Sequence, residues 1–389
     1  MSIHYEGNGK ATFHNGSTID GNFSINIEPN GKAYLHLIFE GGFTAYVLKI
    51  PHDPVSFHGE LIGTKGLVDI QKMYLTQGHF FGTNSLTFSI FNSFEINHHE
   101  LKEHDNITLF RYLSNFIFGG DEVSIYERER RLDKFNIILD AKTITIKQVS
   151  NFKEIEEYFR REKNPRVTCR MEIHGENNGI ELIRDLANDL QNIMSLGSGN
   201  YVTVLKEEIF LKGTLCKTLF YPLKTYPFNS GIALISSDIH SIGEYKNFIT
   251  SVFPHYRANK SALALPYVIE FFNSAKIYNI MQTSFLMNCV ALECLYHHYH
   301  QFKALSPTKS LAKKIEQVCS NEGILYDQDD LDLSKSRNCI AHEGDFPSGI
   351  NSYQEKNRLE NLLDRMILTI LGYKGNNYYN VFKSKAEVL

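Results

Sequence analysis

The hydrophobic and polar positions divide the chain into a β-like first part and a helical last part. Residues 1–150 contain short apolar segments, alternating or continuous, such as Ala33–Phe39, Thr44–Ile50 and Leu86–Phe91. Pairs of residues that tolerate positive φ separate these segments: Asn8-Gly9, Asn15-Gly16, Asp20-Gly21, Asn30-Gly31 and Gly41-Gly42. Few helical segments intervene that could serve as crossovers between parallel strands. The pattern therefore predicts a sandwich- or barrel-like β region.

The next part of the chain, residues 151–240, mixes both patterns. Phe152–Arg161 and Ile180–Ser195 are predicted to be short helices, and the second has its apolar residues on one stripe. Tyr201–Tyr221 returns to the pattern of a strand. We therefore expect a mixed α/β connecting region here.

From residue 241 onward the apolar positions recur at helical spacing. Four helices are predicted: Leu263–Ser274, Lys276–His300, Leu311–Ser320 and Asn351–Leu371. Gly372 follows the last of them, where a glycine commonly ends a helix. The acidic residues after the third helix are predicted to form a loop, and these are Asp327, Asp329, Asp330 and Asp332. Residues 337–342 come next and either open or occupy a short helix.

These patterns together predict an α+β fold class, with a β-rich N-terminal region followed by an all-α C-terminal bundle. The length of 389 residues is enough for two or three domains. We expect a β-rich domain at residues 1–150, the mixed connecting region at 151–240 and a helical domain at 241–389.

The charge balance argues against a protein that coats nucleic acid without sequence preference. The net charge is -4, so the chain as a whole has no basic footprint of the kind that coats nucleic acid. A local basic pocket remains open, because the field in a cleft depends on the charges nearest to it.

The six cysteines predict a reducing environment. No two of them have a C-x-x-C spacing, and no histidine and cysteine cluster has the spacing of a zinc finger. We expect free thiols, no metal site and no cofactor. The first residues lack the basic and apolar regions of a signal peptide, and no stretch reaches the roughly 20 apolar residues of a membrane span. The sequence therefore predicts a cytoplasmic protein with no membrane partner.

The hexapeptide Arg337-Asn338-Cys339-Ile340-Ala341-His342 carries the strongest chemical signal. RNA can be cut without a metal when its 2′-hydroxyl attacks the adjacent phosphate. His342 suits the proton transfer, because the ordinary pKa of histidine lies near neutral pH. Arg337 suits the phosphate, since its planar guanidinium matches phosphate geometry and stays charged. Asn338 can orient either group by hydrogen bonding.

The spacing does not by itself bring these groups together. On a helix, Asn338 and His342 are neighbours four residues apart. Arg337 and His342 are five apart, which places them about 140° from each other around the axis. Three alternatives remain open: the long side chain of Arg337 reaches a shared phosphate, the segment begins in a non-helical conformation, or a second subunit supplies the other half of the site.

The surroundings of the hexapeptide resemble the HEPN superfamily of helical domains, whose catalytic members carry an Arg-x4–6-His motif. Here the motif is Arg337 to His342, and the preceding long helix ends in an element similar to the family's, Ala291-Leu292-Glu293. The resemblance covers residues 266–374. The β-rich first part, followed by SLGSGNYVTVLKEEIF, makes the chain similar to ApeA-type anti-phage HEPN proteins.

This resemblance implies a metal-independent endoribonuclease of bacterial defence. It also implies an RNA substrate, a homodimer formed through the C-terminal helices, and a phage-derived trigger. Arg337, Asn338 and His342 would be the catalytic residues, and Glu293 would support them. The competing interpretation is a non-catalytic HEPN-like interaction or sensing module.

Four more residues have two interpretations each. Glu293 lies in an otherwise apolar stretch. It either pairs with Arg337 or orients His342, or it faces solvent on an amphipathic helix. Lys309, Lys313 and Lys314 form a small basic face next to the motif. They either bind the RNA backbone or belong to an ordinary exposed helix face.

Overall fold

A computed structural model describes most of the chain. The described residues are 3–28, 31–40, 53–63, 66–79, 84–102, 105–120, 122–126, 129–149, 154, 157–158, 161, 166–221, 233–237, 241–375, 378–380 and 385–387. The predicted strand Thr44–Ile50, the predicted turn Gly41-Gly42 and most of the predicted helix Phe152–Arg161 lie outside these residues, as does Asn30 of the predicted turn Asn30-Gly31.

One sheet of 14 strands runs through the described residues up to position 220. Its strands are β1 (Ile3–Thr12), β2 (Thr18–Ile27), β3 (Ala33–Phe39), β4 (Val55–Leu61), β5 (Leu67–His79), β6 (Asn84–Ile90), β7 (Phe94–Asn97), β8 (Asn106–Ser114), β9 (Glu122–Tyr126), β10 (Glu129–Leu139), β11 (Lys142–Gln148), β12 (Val167–Glu176), β13 (Thr203–Leu211) and β14 (Thr214–Phe220). A separate hairpin consists of β15 (Tyr378–Asn380) and β16 (Lys385–Glu387).

The first six strands close into an antiparallel barrel. Their order is β4-β1-β2-β3-β6-β5, and β5 pairs with β4 to complete the ring. The sheet leaves the barrel through β7, which pairs with both β5 and β14, and then continues in the order β14-β13-β8-β12-β11-β10-β9. Barrel and helices together confirm the predicted α+β class.

Two of the predicted turns are wrong and one is confirmed. Asn15-Gly16 makes the turn between β1 and β2, with φ +81° at Gly16. Asn8-Gly9 and Asp20-Gly21 instead lie inside β1 and β2, where Gly9 pairs directly with Gly21. The physical reason is packing inside the barrel. A Cβ on Gly9 would come within 2.2 Å of the ring of Phe57, so glycine here makes room for an aromatic ring.

We expect Gly9→Val to lower the free energy of unfolding by about 2–3 kcal/mol, because the added atoms overpack the barrel core. Gly243→Ala is the matched control, since a Cβ at Gly243 meets nothing within 4 Å. It should leave stability unchanged or raise it by about 0.5–1 kcal/mol. Urea unfolding followed by circular dichroism measures both. A Gly9→Val protein as stable as wild type would contradict this account of the barrel glycines.

Seven α-helices are present in the described residues. They are α1 (Ile180–Ser198), α2 (Ile242–Asn259), α3 (Leu265–Ala275), α4 (Met281–Phe302), α5 (Leu311–Glu322), α6 (Gln328–Glu343) and α7 (Ser352–Ile370), with a 3-10 turn at Asn177–Gly179. The predicted helices agree with α1, α3, α5 and α7 to within a few residues. The predicted helix from Lys276 begins five residues later, at Met281, and α2 was missed. A candidate membrane-spanning helix is not found among the described residues.

The apolar residues form two cores. One fills the barrel. The other is shared by the remaining strands, α1 and the C-terminal helices. The predicted division at residues 150 and 240 stays a prediction.

A second, polar stripe of α7 is buried beside its apolar stripe and consists of Asn357, Glu360, Asn361 and Asp364. Oε1 of Glu360 lies 3.6 Å from Nζ of Lys276, and Oε2 lies 2.7 Å from Nζ of Lys356. Asp364 is fully buried one turn further on, and both of its carboxyl oxygens lack a hydrogen-bond partner among the described residues. Burial raises the pKa of Asp364 to about 8, against the partial opposition of Lys276.

This burial makes stability depend on pH. Between an ordinary carboxyl pKa of 3.8 and about 8, folded Asp364 keeps a proton that the unfolded chain releases, so stability falls as pH rises. We expect Asp364→Asn to flatten the dependence of Tm on pH between 5 and 8. At pH 7.5 it should be more stable than wild type by at least about 1.4 kcal/mol, the equivalent of one pKa unit. Asp332→Asn, on the surface of α6, should leave the profile unchanged. Identical profiles for Asp364→Asn and wild type would contradict the burial argument.

Candidate active site

Helix α6 carries the hexapeptide, and its two ends are defined by specific caps. The side chain of Asp327 accepts a hydrogen bond from the backbone N–H of Asp330, and the Asp330 side chain accepts from Asp327 in return. This capping box begins the helix, and Gly344 ends it with φ +81°. The predicted acidic loop is therefore wrong: Asp327 is the cap of α6, Asp329 and Asp330 lie in its first turn, and Asp332 follows within the helix. Carboxylates are favoured there because they satisfy the free N–H groups at a helix start.

The hexapeptide occupies the C-terminal part of this 16-residue helix and does not open a helix. Burial along α6 follows the helical period. The residues that face the core are Leu333, Ser336 and Ile340, and the exposed residues of the hexapeptide are Asn338, Ala341 and His342. Because the helix is continuous, a non-helical start of the segment is excluded.

Arg337 lies between the exposed and buried faces of α6. Its side chain is 37% exposed, and Nη2 lies 3.5 Å from Oε1 of Glu293 on α4. The other terminal nitrogen, Nη1, donates to Oδ1 of Asn338 at 3.2 Å. One side of the guanidinium is therefore held by two partners while part of it still faces solvent.

Glu293 links this arginine to a second cation. Lys314 on α5 places its Nζ 3.8 Å from Oε2 of Glu293, so one carboxylate lies between two positive groups from two other helices. Cys289 lies one turn before Glu293 on α4. Burial, with a further contribution from Glu293, raises the pKa of this thiol to about 12, so it stays protonated near neutral pH.

The structure brings together only some of the predicted site residues. Arg337, Asn338, Glu293 and Lys314 form one chain of contacts. His342 is exposed in the last turn of α6, one turn beyond Asn338, and no hydrogen bond or ion pair joins it to the others in the described structure.

The two remaining lysines lie apart from that chain of contacts. Lys309 and Lys313 are exposed at the start of α5, and no ion pair links either to a described residue. Both interpretations of Glu293 hold in part, because it pairs with Arg337 and is still 37% exposed. The catalytic, supporting and RNA-binding roles of all seven residues stay predictions.

Sequence reasoning missed the contact between Lys314 and Glu293. The two residues are on different helices, and their approach depends on how α5 packs against α4, which no local pattern reports. Among the residues that the structure describes, no group of three or more histidine, cysteine, aspartate or glutamate side chains could hold a metal ion.

Comparisons of the chain with protein-family models, with curated proteins and with solved structures give no match. The similarity to HEPN domains therefore rests on the sequence elements described above.

Proposed function

We propose that this protein is a metal-independent endoribonuclease with Arg337, Asn338 and His342 as its catalytic residues. The observation that carries the proposal is the position of Arg337. Its guanidinium is oriented by Glu293 and Asn338 and borders the exposed face that presents His342 about one and a half turns away. A phosphate-binding cation and a proton-transfer group thus lie on the same accessible end of one helix.

The chemistry requires few groups. The 2′-oxygen of the RNA attacks phosphorus, a cyclic phosphate forms, and the bond to the 5′-oxygen of the next nucleotide breaks. His342 transfers a proton, either from the attacking hydroxyl or to the leaving oxygen. Arg337 stabilises the charge that develops on the phosphate, and Asn338 holds the guanidinium by hydrogen bonding.

Glu293 has a supporting role in this proposal. Its carboxylate orients the Arg337 guanidinium from one side, at 3.5 Å, and leaves donor groups on the other side for a phosphate. The long and incompletely buried ion pair is weak enough for a phosphate to compete with it.

Arg337 and His342 lie on different sides of α6, so one chain does not bring them together. In a homodimer through the C-terminal helices, Arg337 of one copy would work with His342 of the other. A partly exposed apolar stripe on α4 supports this proposal, since Val290 is 41% exposed and Leu286 and Met287 are only partly buried. Val290 is three residues before Glu293, so a second copy seated on this stripe would cover the edge of the site.

Lys309, Lys313 and Lys314 are proposed to bind the RNA backbone. We expect Lys313→Gln to raise KM for single-stranded RNA about two- to threefold with little change in kcat. It should also reduce the slope of log KM against log salt by about 0.7, because RNA binding with one phosphate contact fewer releases fewer counterions. Lys335→Gln is the control, because Lys335 is an exposed lysine of α6 that pairs with Asp332 and is not among the proposed RNA-binding residues. Equal salt slopes for Lys313→Gln and wild type would remove Lys313 from the RNA path.

The test of the proposed reaction is cleavage of RNA in the presence of EDTA. Purified protein should cut a labelled RNA and leave 2′,3′-cyclic phosphate ends. The competing proposal is a non-catalytic HEPN-like interaction or sensing module. It is supported by the lack of a hydrogen bond or ion pair between His342 and Arg337 in the part of the chain that the structure describes. A protein that binds RNA or a partner but leaves RNA intact would favour that module.

The biological setting is also a proposal. The similarity to ApeA-type proteins suggests a cytoplasmic anti-phage role, with a phage-derived trigger. Expression in a bacterial host tests it: the wild-type gene should reduce phage yield, and Arg337→Ala at equal protein level should not.

A further inference from the structure

A cavity of about 420 Å³ lies where the barrel meets the rest of the sheet. Tyr5 of β1 lines it from the barrel, while Tyr112 of β8, Lys206 of β13 and Phe220 at the end of β14 line it from the other side. Small-molecule sites have volumes of roughly 300–1,000 Å³ and form preferentially at such seams between substructures.

Aromatic rings form one wall of this cavity in a fixed arrangement. The rings of Tyr5 and Phe220 meet edge to face with centroids 6.0 Å apart. Phe220 is 2% exposed and stacks on Phe94 at 5.0 Å, which holds its ring in place. A flat ring entering the cavity would thus meet a preformed aromatic surface.

The two cations of the lining differ in what they contact. Lys206 donates to Glu208 at 2.6 Å, and Nζ lies 4.2 Å from the centre of the Tyr112 ring, so its charge is already balanced. Arg166 lies over the ring of Tyr158 at 4.9 Å and has no carboxylate partner among the described residues. Arg166 is therefore the group that can receive an anion.

We propose that this cavity binds a small planar aromatic molecule that carries an anionic group. The ring packs against Tyr5 and Phe220, and the anion accepts hydrogen bonds from the guanidinium of Arg166. The site is separate from Arg337 and His342, so the proposal stands or falls independently of RNA cleavage.

The test uses the full chain and the dye 1-anilinonaphthalene-8-sulfonate, an aromatic sulfonate. The chain has no tryptophan, so Val149→Trp on the 43% exposed rim of the cavity introduces one indole donor. We expect saturable binding of one dye per chain, with energy transfer from that indole. Adding Arg166→Gln should weaken binding at least tenfold, whereas Arg166→Lys should weaken it less.

Two matched controls separate the anion contact from general hydrophobic binding. Arg161→Gln removes an arginine whose side chain is 75% exposed, pairs with Glu157 and does not line the cavity, and it should leave dye affinity unchanged. N-phenyl-1-naphthylamine, the same dye without its sulfonate, should bind more weakly and should not respond to Arg166→Gln. The proposal is overturned if the dye does not saturate, if it takes no energy from the indole, or if Arg166→Gln binds it as wild type does.

Discussion

Replacing His342 by alanine is expected to lower the rate of EDTA-resistant RNA cleavage by about 10²- to 10⁴-fold, the usual contribution of a general acid or base. The loss should appear in kcat, because an exposed imidazole without partners in the described structure adds little to RNA binding. The fold of the His342→Ala protein should be unaffected, because the exposed imidazole makes no hydrogen bond or ion pair in the described structure. Single-turnover cleavage of a labelled RNA measures the chemical step, and circular dichroism verifies the fold.

His297→Ala is the matched control for this prediction. His297 is an exposed histidine in the same helical region, on α4, and no part of the proposed site. It should cleave RNA at the wild-type rate. A His342→Ala protein that cleaves as fast as wild type would remove His342 from the mechanism, and slow cleavage by both variants would assign the loss to the helical surface in general.

Mixing two inactive variants tests whether the site spans a dimer. If Arg337 of one copy works with His342 of the other, a heterodimer of Arg337→Ala and His342→Ala chains has one intact site and one doubly altered site. Random pairing at equal concentrations should then restore about a quarter of wild-type activity. If each chain supplies its own complete site, mixing restores none.

The parts of the fold that follow from local periodicity could be predicted from the sequence. The apolar stripe of Ile180–Ser195 predicts α1 because a helix must bury one face. The turn pairs within the barrel could not be assigned in this way. Asn8-Gly9 satisfies the same local rule as Asn15-Gly16, and only the approach of the Phe57 ring from β4 decides that Gly9 belongs inside a strand.

The candidate site shows the same limit. The divergence of Arg337 and His342 follows from helical geometry alone, and the continuous α6 has that geometry. The contacts of Glu293 with Arg337 and Lys314 join three helices, across 44 residues of chain in the case of Arg337. Such contacts depend on tertiary packing, so a single sequence can nominate these residues but cannot place them together.

One buried carboxylate did leave a signal in the sequence. On β13, alternate residues face the core, and Leu205, Glu207 and Ile209 share that buried face. The period of two therefore places Glu207 inside, where a charge is costly unless it is paired. What the pattern cannot reveal is the partner, Arg111, which comes from the neighbouring strand β8.

Glu207 is the centre of a buried ion network beneath α1. Arg111 Nε donates to Oε1 at 2.8 Å, and Arg184 Nε donates to Oε2 at 3.1 Å. The hydroxyl of Tyr221 donates to the same Oε2 at 3.0 Å. Burial by itself would raise the pKa of Glu207, but the two arginines outweigh it and hold the pKa below its ordinary value. The carboxylate is therefore ionised near neutral pH and balances a guanidinium that is 2% exposed.

We expect Glu207→Gln to lower the free energy of unfolding by about 3–5 kcal/mol, because it keeps the shape of the side chain but leaves Arg111 charged and buried without a counterion. Urea unfolding followed by circular dichroism measures the change. Glu181→Gln is the matched control: Glu181 also pairs with Arg184, but its side chain is 80% exposed, and such surface pairs contribute about 0–1 kcal/mol. Similar small losses in both variants would mean that water reaches Arg111, and the network would then not hold α1 against the sheet.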